Sequence, residues 1–203
     1  MAVLWRMVCI AVGYLFGNFL TAEAVAKLAA GKSADQIGTG NPGMANIMAN
    51  LGKKAGLLVL AGDAVKTLLA VAGAYLLAGN QIGRAAVLYA GIGAICGHNY
   101  PVWKKGRGGK GVTVTCVWLI CCFGIPGVLC SIAGGAAVMI WRSLALGAVI
   151  IPFLAVIPAF WISGAEGGIL VLLSALMMVS RHITGLREFI LKEDETHTSI
   201  GGE

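Results

Sequence analysis

The feature that most constrains this chain is a series of apolar segments long enough to cross a membrane. Each helical crossing takes about 20 mostly apolar residues, and 58% of the 203 residues are hydrophobic while only 12% are charged. A soluble domain of this size cannot bury so many apolar side chains. The sequence therefore predicts an all-α polytopic membrane protein of about seven transmembrane helices, at residues 3–22, 56–79, 83–98, 111–123, 124–141, 144–162 and 167–182.

The same segments predict the domain organisation. We expect a single transmembrane domain over residues 1–190 and a polar cytoplasmic tail, residues 191–203, that is disordered. The apolar N-terminal segment lacks a basic leader region, so we expect a retained span rather than a signal peptide. Residues 111–141 are long for one span and short for two. Gly124 and Pro126 mark a turn that divides them, and an arrangement of six spans stays open.

Basic residues are distributed unevenly between the two sides of the predicted bundle. Lys and Arg accumulate in short cytoplasmic loops, and twelve of the fifteen in this chain fall on one side, against Arg84 on the other and with Arg6 and Lys66 inside predicted spans. We therefore expect the N-terminus outside and the C-terminus in the cytoplasm. Attraction to anionic lipid headgroups explains the excess of basic residues on this side. It does not explain why the same loops contain glycine-rich motifs. The residues of the cytoplasmic side are Lys27, Lys32, Lys53, Lys54, Lys104, Lys105, Arg107, Lys110, Arg142, Arg181, Arg187 and Lys192.

The first cytoplasmic loop contains a glycine-rich motif, residues 38–43, with the sequence GTGNPG. The apolar residues that follow, from Met44 to Leu51, have helical spacing and predict a short interfacial helix. Asn41 is a suitable N-cap and Pro42 suits the first turn. The glycines then lie at a helix N-terminus, where backbone amides and the helix dipole favour phosphate. The alternative to a phosphate site is an ordinary capped helix at the membrane interface.

The second motif joins the third span to the fourth and has the sequence GHNYPVWKKGRGGKG over residues 97–111. We expect its glycines to expose backbone amides that, together with Arg107 and Lys110, form an anion cradle at a second helix start. The spacing does not match a nucleotide-binding Walker A loop, because no Ser or Thr follows Lys110 and no strand precedes the motif. A nucleotide motor is therefore excluded at this site.

Further polar residues lie within the predicted spans or at their ends. Asp63 and Lys66 are spaced i, i+3 in the second span, where charges are costly and should pair or face a polar cavity. A structural ion pair that fixes helix packing is the alternative to a functional one. Arg181 and His182 end the seventh span on the same membrane face as both glycine motifs, which makes them candidates for the same site.

These residues combine with others into a pattern whose order and spacing are specific. The segments are Tyr14-Leu15 with Gly17, residues 40–43 with Asn46, residues 51–56, Asp63 with Lys66, Gly97-His98 with Pro101, residues 108–112, Ser143-Leu144 and Arg181-His182. Across nearly the whole chain, the pattern resembles the membrane-bound acyl-phosphate:glycerol-3-phosphate acyltransferase family of bacterial phospholipid synthesis.

The resemblance implies a fold and a reaction. It implies seven transmembrane helices in the bacterial inner membrane, with the N-terminus outside and the active face cytoplasmic. The implied reaction moves a fatty acyl group from acyl phosphate to the 1-hydroxyl of glycerol 3-phosphate, giving lysophosphatidic acid and phosphate. No acyl-CoA, acyl carrier protein, metal or other cofactor is implied, and neither nucleic acid nor an obligate protein partner is expected. Two substrates that each carry a phosphate match the two predicted anion cradles. The lipid bilayer is the other expected partner of the protein.

The expected site residues fall into three groups. We expect Lys110, His98 and His182 to be catalytic, and Asp63 and Lys66 to form an intramembrane polar pair. The mechanism is expected to use positioning and electrostatics rather than a protein nucleophile, with a histidine or a substrate phosphate oxygen accepting the hydroxyl proton. Residues expected to bind substrate phosphate are Thr39, Gly40, Asn41, Gly43, Asn46, Arg107, Gly108, Gly109, Gly111, Ser143 and Arg181.

Other functions stay open at this stage. Ala49 and Gly185 stand where the family has Arg and Asn, which leaves room for a member that binds lipid phosphates without turnover or that uses another polar acceptor. A small transporter of anionic metabolites would instead use Asp63 and Lys66 as its pathway. The sequence has no evident inverted repeat to favour a transporter.

Overall fold

The structure, a computed structural model, describes the backbone of residues 1–200 and the side chains of residues 1–192. Within that part of the chain the regular structure is helical, which confirms the predicted all-α class. Two short 3-10 helices, Ala34–Gln36 and Val102–Lys104, lie in the loops. The α-helices are α1 (Ala2–Gly17), α2 (Thr21–Ala30), α3 (Met44–Leu51), α4 (Lys53–Ile82), α5 (Ala85–Asn99), α6 (Val112–Phe123), α7 (Ile125–Trp141) and α8 (Leu144–Ile200).

The predicted segments and the observed helices agree except at the end of the first and at the end of the last, where α8 continues past residue 182. The first segment was expected to reach residue 22, but α1 ends at Gly17, and Leu20 has an extended backbone that separates α1 from α2. The turn expected near Gly124 is present, with φ 61° between α6 and α7. The short helix predicted after the first glycine motif is α3.

Three helical stretches of the described residues are long and apolar enough to cross a membrane. They are Ala2–Ala30, Lys53–Ile82 and Leu144–Lys192, and α6 and α7 are apolar but shorter. A membrane helix needs about 20 residues, so helix length alone does not fix how many crossings the chain makes. The expected number of seven, like the orientation, therefore stays a prediction.

The chain divides into two compact units, Met1–Gly124 and Ile125–Glu203. The first unit contains α1 to α6, and the second contains α7 and α8. Helix α8 continues past residue 190 to Ile200, and residues 201–203 lie outside the described residues. The single domain over residues 1–190 and the disordered tail stay predictions.

In the first unit, α1 and α5 pack backbone to backbone through glycines. A Cβ on Gly13 or Gly17 would overlap the backbone of α5, and a Cβ on Gly93 or Gly97 would overlap the backbone of α1. Small residues spaced by four allow this close approach in membrane helices, where packing replaces the hydrophobic effect. The contact brings His98, which follows Gly97, next to the C-terminal end of α1.

A small apolar core supports the loop between α2 and α3, which carries the first glycine motif. Ala26 from α2, Ile37 from the loop, Ile47 from α3 and Val59 from α4 are all buried in one cluster. Because these side chains come from four consecutive segments, their burial fixes the glycine-rich loop over the start of α4.

The second unit is a helical pair with one internal break. Gly134 of α7 and Gly147 of α8 lie at the contact between the two helices, where a Cβ on Gly134 would meet Ile151. Helix α8 is interrupted at Gly164, whose φ is 62° and ψ −162°, a conformation that favours glycine. The break falls between the predicted spans at residues 144–162 and 167–182, whose separation into two crossings stays a prediction.

Candidate active site

The second glycine motif folds back onto the C-terminal end of α5. We call residues 106–111 the glycine loop. The Gly109 amide donates to the His98 carbonyl at 3.0 Å, and the Gly108 amide donates to the Asn99 carbonyl at 3.2 Å. A Cβ on Gly108 would overlap the His98 carbonyl, and a Cβ on Gly109 would overlap Nε2 of the His98 ring. A side chain at either position would therefore have to displace His98 or the glycine loop.

These contacts correct one expectation. The amides of Gly108 and Gly109 were expected to face an anion, but both donate to backbone carbonyls of α5. Gly111 has φ 79° and is the N-cap of α6, so the half-buried Lys110 stands directly before a 12-residue helix. The anion-binding capacity of this loop thus rests on Lys110, the exposed Arg107 and the first turn of α6.

A buried polar cluster lies in the first unit at Lys66, on α4. Lys66 Nζ lies 2.8 Å from Asp63 Oδ1 and donates to the carbonyl of Phe19 at 2.7 Å. Asp63 Oδ1 also accepts from the Thr21 hydroxyl at 3.0 Å. Lys66 is 5% exposed and Asp63 is 3% exposed, so each buried charge needs the other. The two residues form an ion pair in the structure, and their place within the membrane and their role stay predictions.

His98 joins this cluster to the glycine loop. Its Nδ1 lies 2.9 Å from Lys66 Nζ, while its Nε2 edge faces Gly109. The ring is only 4% exposed. Two motifs that the sequence treated separately, the intramembrane pair and the glycine loop, therefore meet at the two nitrogens of one imidazole.

The first glycine motif is held by Asn46 of α3. The Asn46 side-chain amide donates to the carbonyls of Ile37, at 2.8 Å, and Asn41, at 3.0 Å. Its Oδ1 accepts from the Thr39 amide at 2.9 Å and from Asn50 at 3.1 Å. These four bonds use both protons and both lone pairs of the carboxamide, so Asn46 shapes the loop that carries Thr39, Gly40 and Asn41.

The N-cap of α3 is Gly43, not Asn41 as expected. The Asn41 carbonyl accepts from the Gly43 amide at 2.9 Å, which turns the chain once more before the helix starts. Met44 rather than Pro42 is the first helical residue. Thr39 and Asn41 therefore precede the helix start by several residues, with Thr39 exposed and Asn41 half-buried.

Lys104 connects the loop before α3 to the loop between α5 and α6. Its Nζ lies 2.9 Å from Asp35 Oδ2 and 3.3 Å from Glu23 Oε2, and it donates to the Ser33 hydroxyl at 2.8 Å. Hydrogen bonds from Ser33 and Lys104 lower the pKa of Asp35. Burial alone lowers the pKa of Lys104, but its bonds to Asp35 and Glu23 outweigh burial and raise that pKa. The sequence analysis missed this network.

An apolar groove of about 460 Å³ opens between α1 and α4 beside Lys66. Most of its wall is aliphatic or aromatic, and Lys66 is its charged member. Such a groove has the character of an alkyl-chain site with a polar end. The residues that line it are Leu15, Phe16, Phe19, Gly62, Val65, Lys66 and Leu69.

The remaining predicted site residues belong to the second unit. Ser143 Oγ accepts from the Leu146 amide at 3.2 Å and so caps the start of α8. His182 is buried, with Nδ1 3.0 Å from the Met178 carbonyl. A Cβ on Gly185 would lie 3.0 Å from Ala145, which puts the His182 end of α8 beside its start. The expectation that His182 belongs to the same site as the two glycine motifs stays a prediction.

The described residues contain no cluster of three or more His, Cys, Asp or Glu that could hold a metal ion.

Thr21 and Asn18 were not among the predicted site residues. Asn18 Oδ1 accepts from the Val102 amide at 3.1 Å, and its carbonyl accepts from the Trp103 indole at 2.7 Å. No local signal marks either residue, because both act on segments distant in sequence.

Comparisons with known proteins agree on one family. A family model described as glycerol-3-phosphate acyltransferase matches residues 7–192. The glycerol-3-phosphate acyltransferase 1 of Lactobacillus johnsonii is 36% identical over 180 residues, which is 86% of this chain and 84% of the relative. That of Lactobacillus acidophilus is 33% identical over 184 residues, covering 91% and 88%.

Solved structures share the fold. The crystal structure of PlsY, an integral membrane glycerol 3-phosphate acyltransferase, in its glycerol 3-phosphate form matches with a TM-score of 0.80 at 22% identity, over 92% of each chain. Its lysophosphatidic acid form matches with a TM-score of 0.78 at 21% identity, over the same shares.

Proposed function

This chain belongs to the glycerol-3-phosphate acyltransferase family and is an acyltransferase of glycerol 3-phosphate, and we propose that acyl phosphate is its acyl donor. The reaction then attaches a fatty acyl group to the 1-hydroxyl of glycerol 3-phosphate and releases inorganic phosphate. The product is lysophosphatidic acid, the ligand of one of the related crystal structures.

The observation that carries the proposal is the position of His98 between a buried ion pair and the glycine loop. Lys66 Nζ lies 2.9 Å from His98 Nδ1 on one side of the ring. The glycine loop, which includes Lys110, packs on the other side. Lys66, His98 and the glycine loop that carries Lys110 therefore adjoin one another at the C-terminal end of α5. Such an arrangement suits a phosphate and the oxyanion that develops on its neighbouring carbonyl.

The chemistry needs no protein nucleophile. The glycerol hydroxyl oxygen attacks the acyl carbonyl carbon, a tetrahedral oxyanion forms, and the bond from that carbon to the phosphate oxygen breaks. The hydroxyl proton passes to the departing phosphate, so charge and atoms balance. Acyl phosphate is already activated, and the contribution of Lys110, Arg107 and His98 is to hold phosphate charge and stabilise the oxyanion.

The groove between α1 and α4 supports the placement of the acyl chain. Its apolar wall reaches Lys66, which contacts His98, so an alkyl chain in the groove has its polar end near the proposed phosphate site. We assign Thr39, Gly40, Asn41 and the second-unit residues Ser143, Arg181 and His182 to the substrates as well, on the resemblance to the family.

The membrane placement is part of the same proposal. The uneven distribution of Lys and Arg supports a chain with seven crossings of the bacterial inner membrane, the N-terminus outside and the C-terminus in the cytoplasm. Both glycine motifs then face the cytoplasm, where a soluble phosphate ester such as glycerol 3-phosphate is available.

The test is an assay of purified protein with labelled glycerol 3-phosphate and one acyl donor at a time. We expect labelled lysophosphatidic acid with acyl phosphate and none with acyl-CoA or acyl carrier protein of the same chain length. Product from acyl-CoA but not from acyl phosphate would contradict the donor assignment. Binding of lysophosphatidic acid without turnover of any donor would instead favour the non-catalytic reading of Ala49 and Gly185.

A further inference from the structure

Lys104 makes polar contacts with three residues that precede the first glycine motif. Its Nζ lies 2.9 Å from Asp35 Oδ2 and 3.3 Å from Glu23 Oε2, and it donates to the Ser33 hydroxyl at 2.8 Å. Three acceptors match the three protons of an ammonium. The side chains of Lys104 and Glu23 are only 15% and 5% exposed, so the cluster differs from a solvated surface ion pair, which would contribute little.

The first glycine motif is joined directly to the segment that Lys104 contacts. Ser33 is the N-cap of the 3-10 helix Ala34–Gln36. The Ile37 carbonyl, just after that helix, accepts from the Gly40 amide at 2.9 Å. A Cβ on Gly40 would lie 3.2 Å from the Asp35 carbonyl oxygen, so the motif packs on the backbone of Asp35. A displacement of Asp35 is therefore passed to the motif at Gly40.

The glycine loop begins at the backbone of the same lysine. Lys104 ends the 3-10 helix Val102–Lys104, and its carbonyl accepts from the Arg107 amide at 3.1 Å. The 3-10 helix is fixed in turn to the end of α1, because the Asn18 carbonyl accepts from the Trp103 indole at 2.7 Å. Lys104 thus holds the start of the glycine loop with its backbone and the first glycine motif with its side chain.

Lys105, the next residue along the chain, provides a comparison. It is exposed and lies on the same predicted side of the membrane. If the orientation rule alone placed basic residues here, the two lysines would be equivalent. The partial burial of Lys104 and its three contacts distinguish it from Lys105, and its role therefore extends beyond topology.

We infer that Lys104 is a positioning residue for acyl transfer, which sets the spacing between the first glycine motif and the glycine loop. Both motifs are assigned to the substrates, so their spacing decides whether the two substrates meet at reacting distance. A misplacement of about 1 Å costs on the order of 100-fold in rate. The catalytic part of this inference rests on the proposed function, whereas the mechanical coupling of the two loops does not.

Kinetics of conservative variants test the positioning role. Lys104→Met keeps the apolar stem of the side chain and removes its ammonium, and we expect kcat to fall about tenfold. Lys104→Arg keeps the charge and the N–H donors, so its kcat should stay within about threefold of wild type. Lys105→Met is the matched control and should equal the wild type. A Lys104→Met enzyme as active as the control, or a Lys104→Arg enzyme as slow as Lys104→Met, would overturn the inference.

A second pair of variants applies if Lys104→Met does not fold. Removal of the ammonium leaves the buried Glu23 carboxylate with less compensation, whereas Glu23→Gln with Lys104→Met removes both charges. Glu23→Gln alone leaves the contacts of Lys104 with Asp35 and Ser33 in place. We expect kcat of the double variant to be about tenfold below that of Glu23→Gln. Equal kcat values in the two proteins would refute the positioning role.

Combination with Lys110→Ala separates positioning from stability. If Lys104 acts by placing the glycine loop, its loss matters less once the Lys110 ammonium is gone, and the two losses in kcat should combine to much less than their product. Rates are compared per folded enzyme, judged by gel filtration and thermal unfolding. Losses that multiply fully would show that Lys104 does not act through the loop that carries Lys110.

Hydrogen–deuterium exchange tests the coupling of the loops without substrate. In protein held in lipid nanodiscs, we expect Lys104→Met to speed exchange in peptides that cover residues 38–43, including the bonded Gly40 amide, and Lys105→Met to leave it unchanged. Unchanged exchange there in Lys104→Met would overturn the inference. If the wild type uses only another donor, the acyl phosphate proposal fails, and the kinetics with that donor and the exchange result still decide the role of Lys104.

Discussion

Replacing Gly109 by alanine should slow acyl transfer while leaving the fold intact. Gly109 does not have a left-handed backbone, so alanine causes no backbone strain there and acts only through its Cβ. That carbon would lie 2.9 Å from Cε1 and 3.0 Å from Cδ2 of His98 and closer still to Nε2. Carbon atoms prefer about 3.5 Å or more, so ring and loop must separate by at least about 0.5 Å.

The ring cannot move aside freely. His98 is 4% exposed, and its Nδ1 is held by Lys66 at 2.9 Å, so most of the displacement should fall on the loop and on Lys110 beyond it. A misplacement of this size in a transition-state contact costs on the order of ten- to a hundredfold in rate. We therefore expect kcat of Gly109→Ala to fall by about that factor.

The assay measures phosphate release from acyl phosphate with glycerol 3-phosphate varied, at matched amounts of folded protein judged by gel filtration and thermal unfolding. Gly73→Ala on α4 is the matched control, because a Cβ there has no atom within 4 Å, and its activity should equal that of the wild type. If folded Gly109→Ala stayed within about threefold of wild type, the loop would not be positioned against His98 as described.

Other predictions follow from charge. Lys110→Ala should lower acyl transfer about 100-fold, because Lys110 stands before a helix start at the proposed phosphate site, whereas Lys105→Ala should matter several-fold at most; equal, small effects would make Lys110 a topology residue. An impermeant thiol reagent added to intact cells should label a cysteine near Asn80 but not one near Gly106, and the reverse pattern would overturn the proposed orientation. The lowered pKa of Asp35 stabilises the fold above the usual aspartate range, and this stability should be lost as pH falls through that pKa. Thermal unfolding of Asp35→Asn should lack this acid loss, and equal acid loss in both proteins would refute the assignment.

Hydropathy predicted most of the helices because a membrane-crossing helix must be apolar over most of its length. The turn at Gly124 was also predicted, since glycine marks sites where a helix ends, and the break at Gly164 falls between two predicted segments. Helix α2 was missed because Glu23 and Lys27 end the apolar run of the first segment, which placed most of α2 in the first loop.

The site was predicted in part. The Asp63 and Lys66 pair followed from the cost of buried charge, but their contact with His98 did not, because it depends on how α1 and α5 pack. The N-cap at Asn41 was wrong because Asn46, a residue of the helix itself, draws the Asn41 carbonyl into another turn. The free amides expected at Gly108 and Gly109 were wrong because the loop folds back on α5, a contact that local motif chemistry does not encode.

The central claim is that acyl transfer is direct, between two bound substrates and without an acylated enzyme. Rapid mixing of purified protein with excess acyl phosphate, with glycerol 3-phosphate withheld, measures this by phosphate release and intact-protein mass. Direct transfer predicts no burst of phosphate and an unchanged mass until glycerol 3-phosphate is added. A burst equal to the enzyme concentration, with a mass increase of one acyl group, would contradict it.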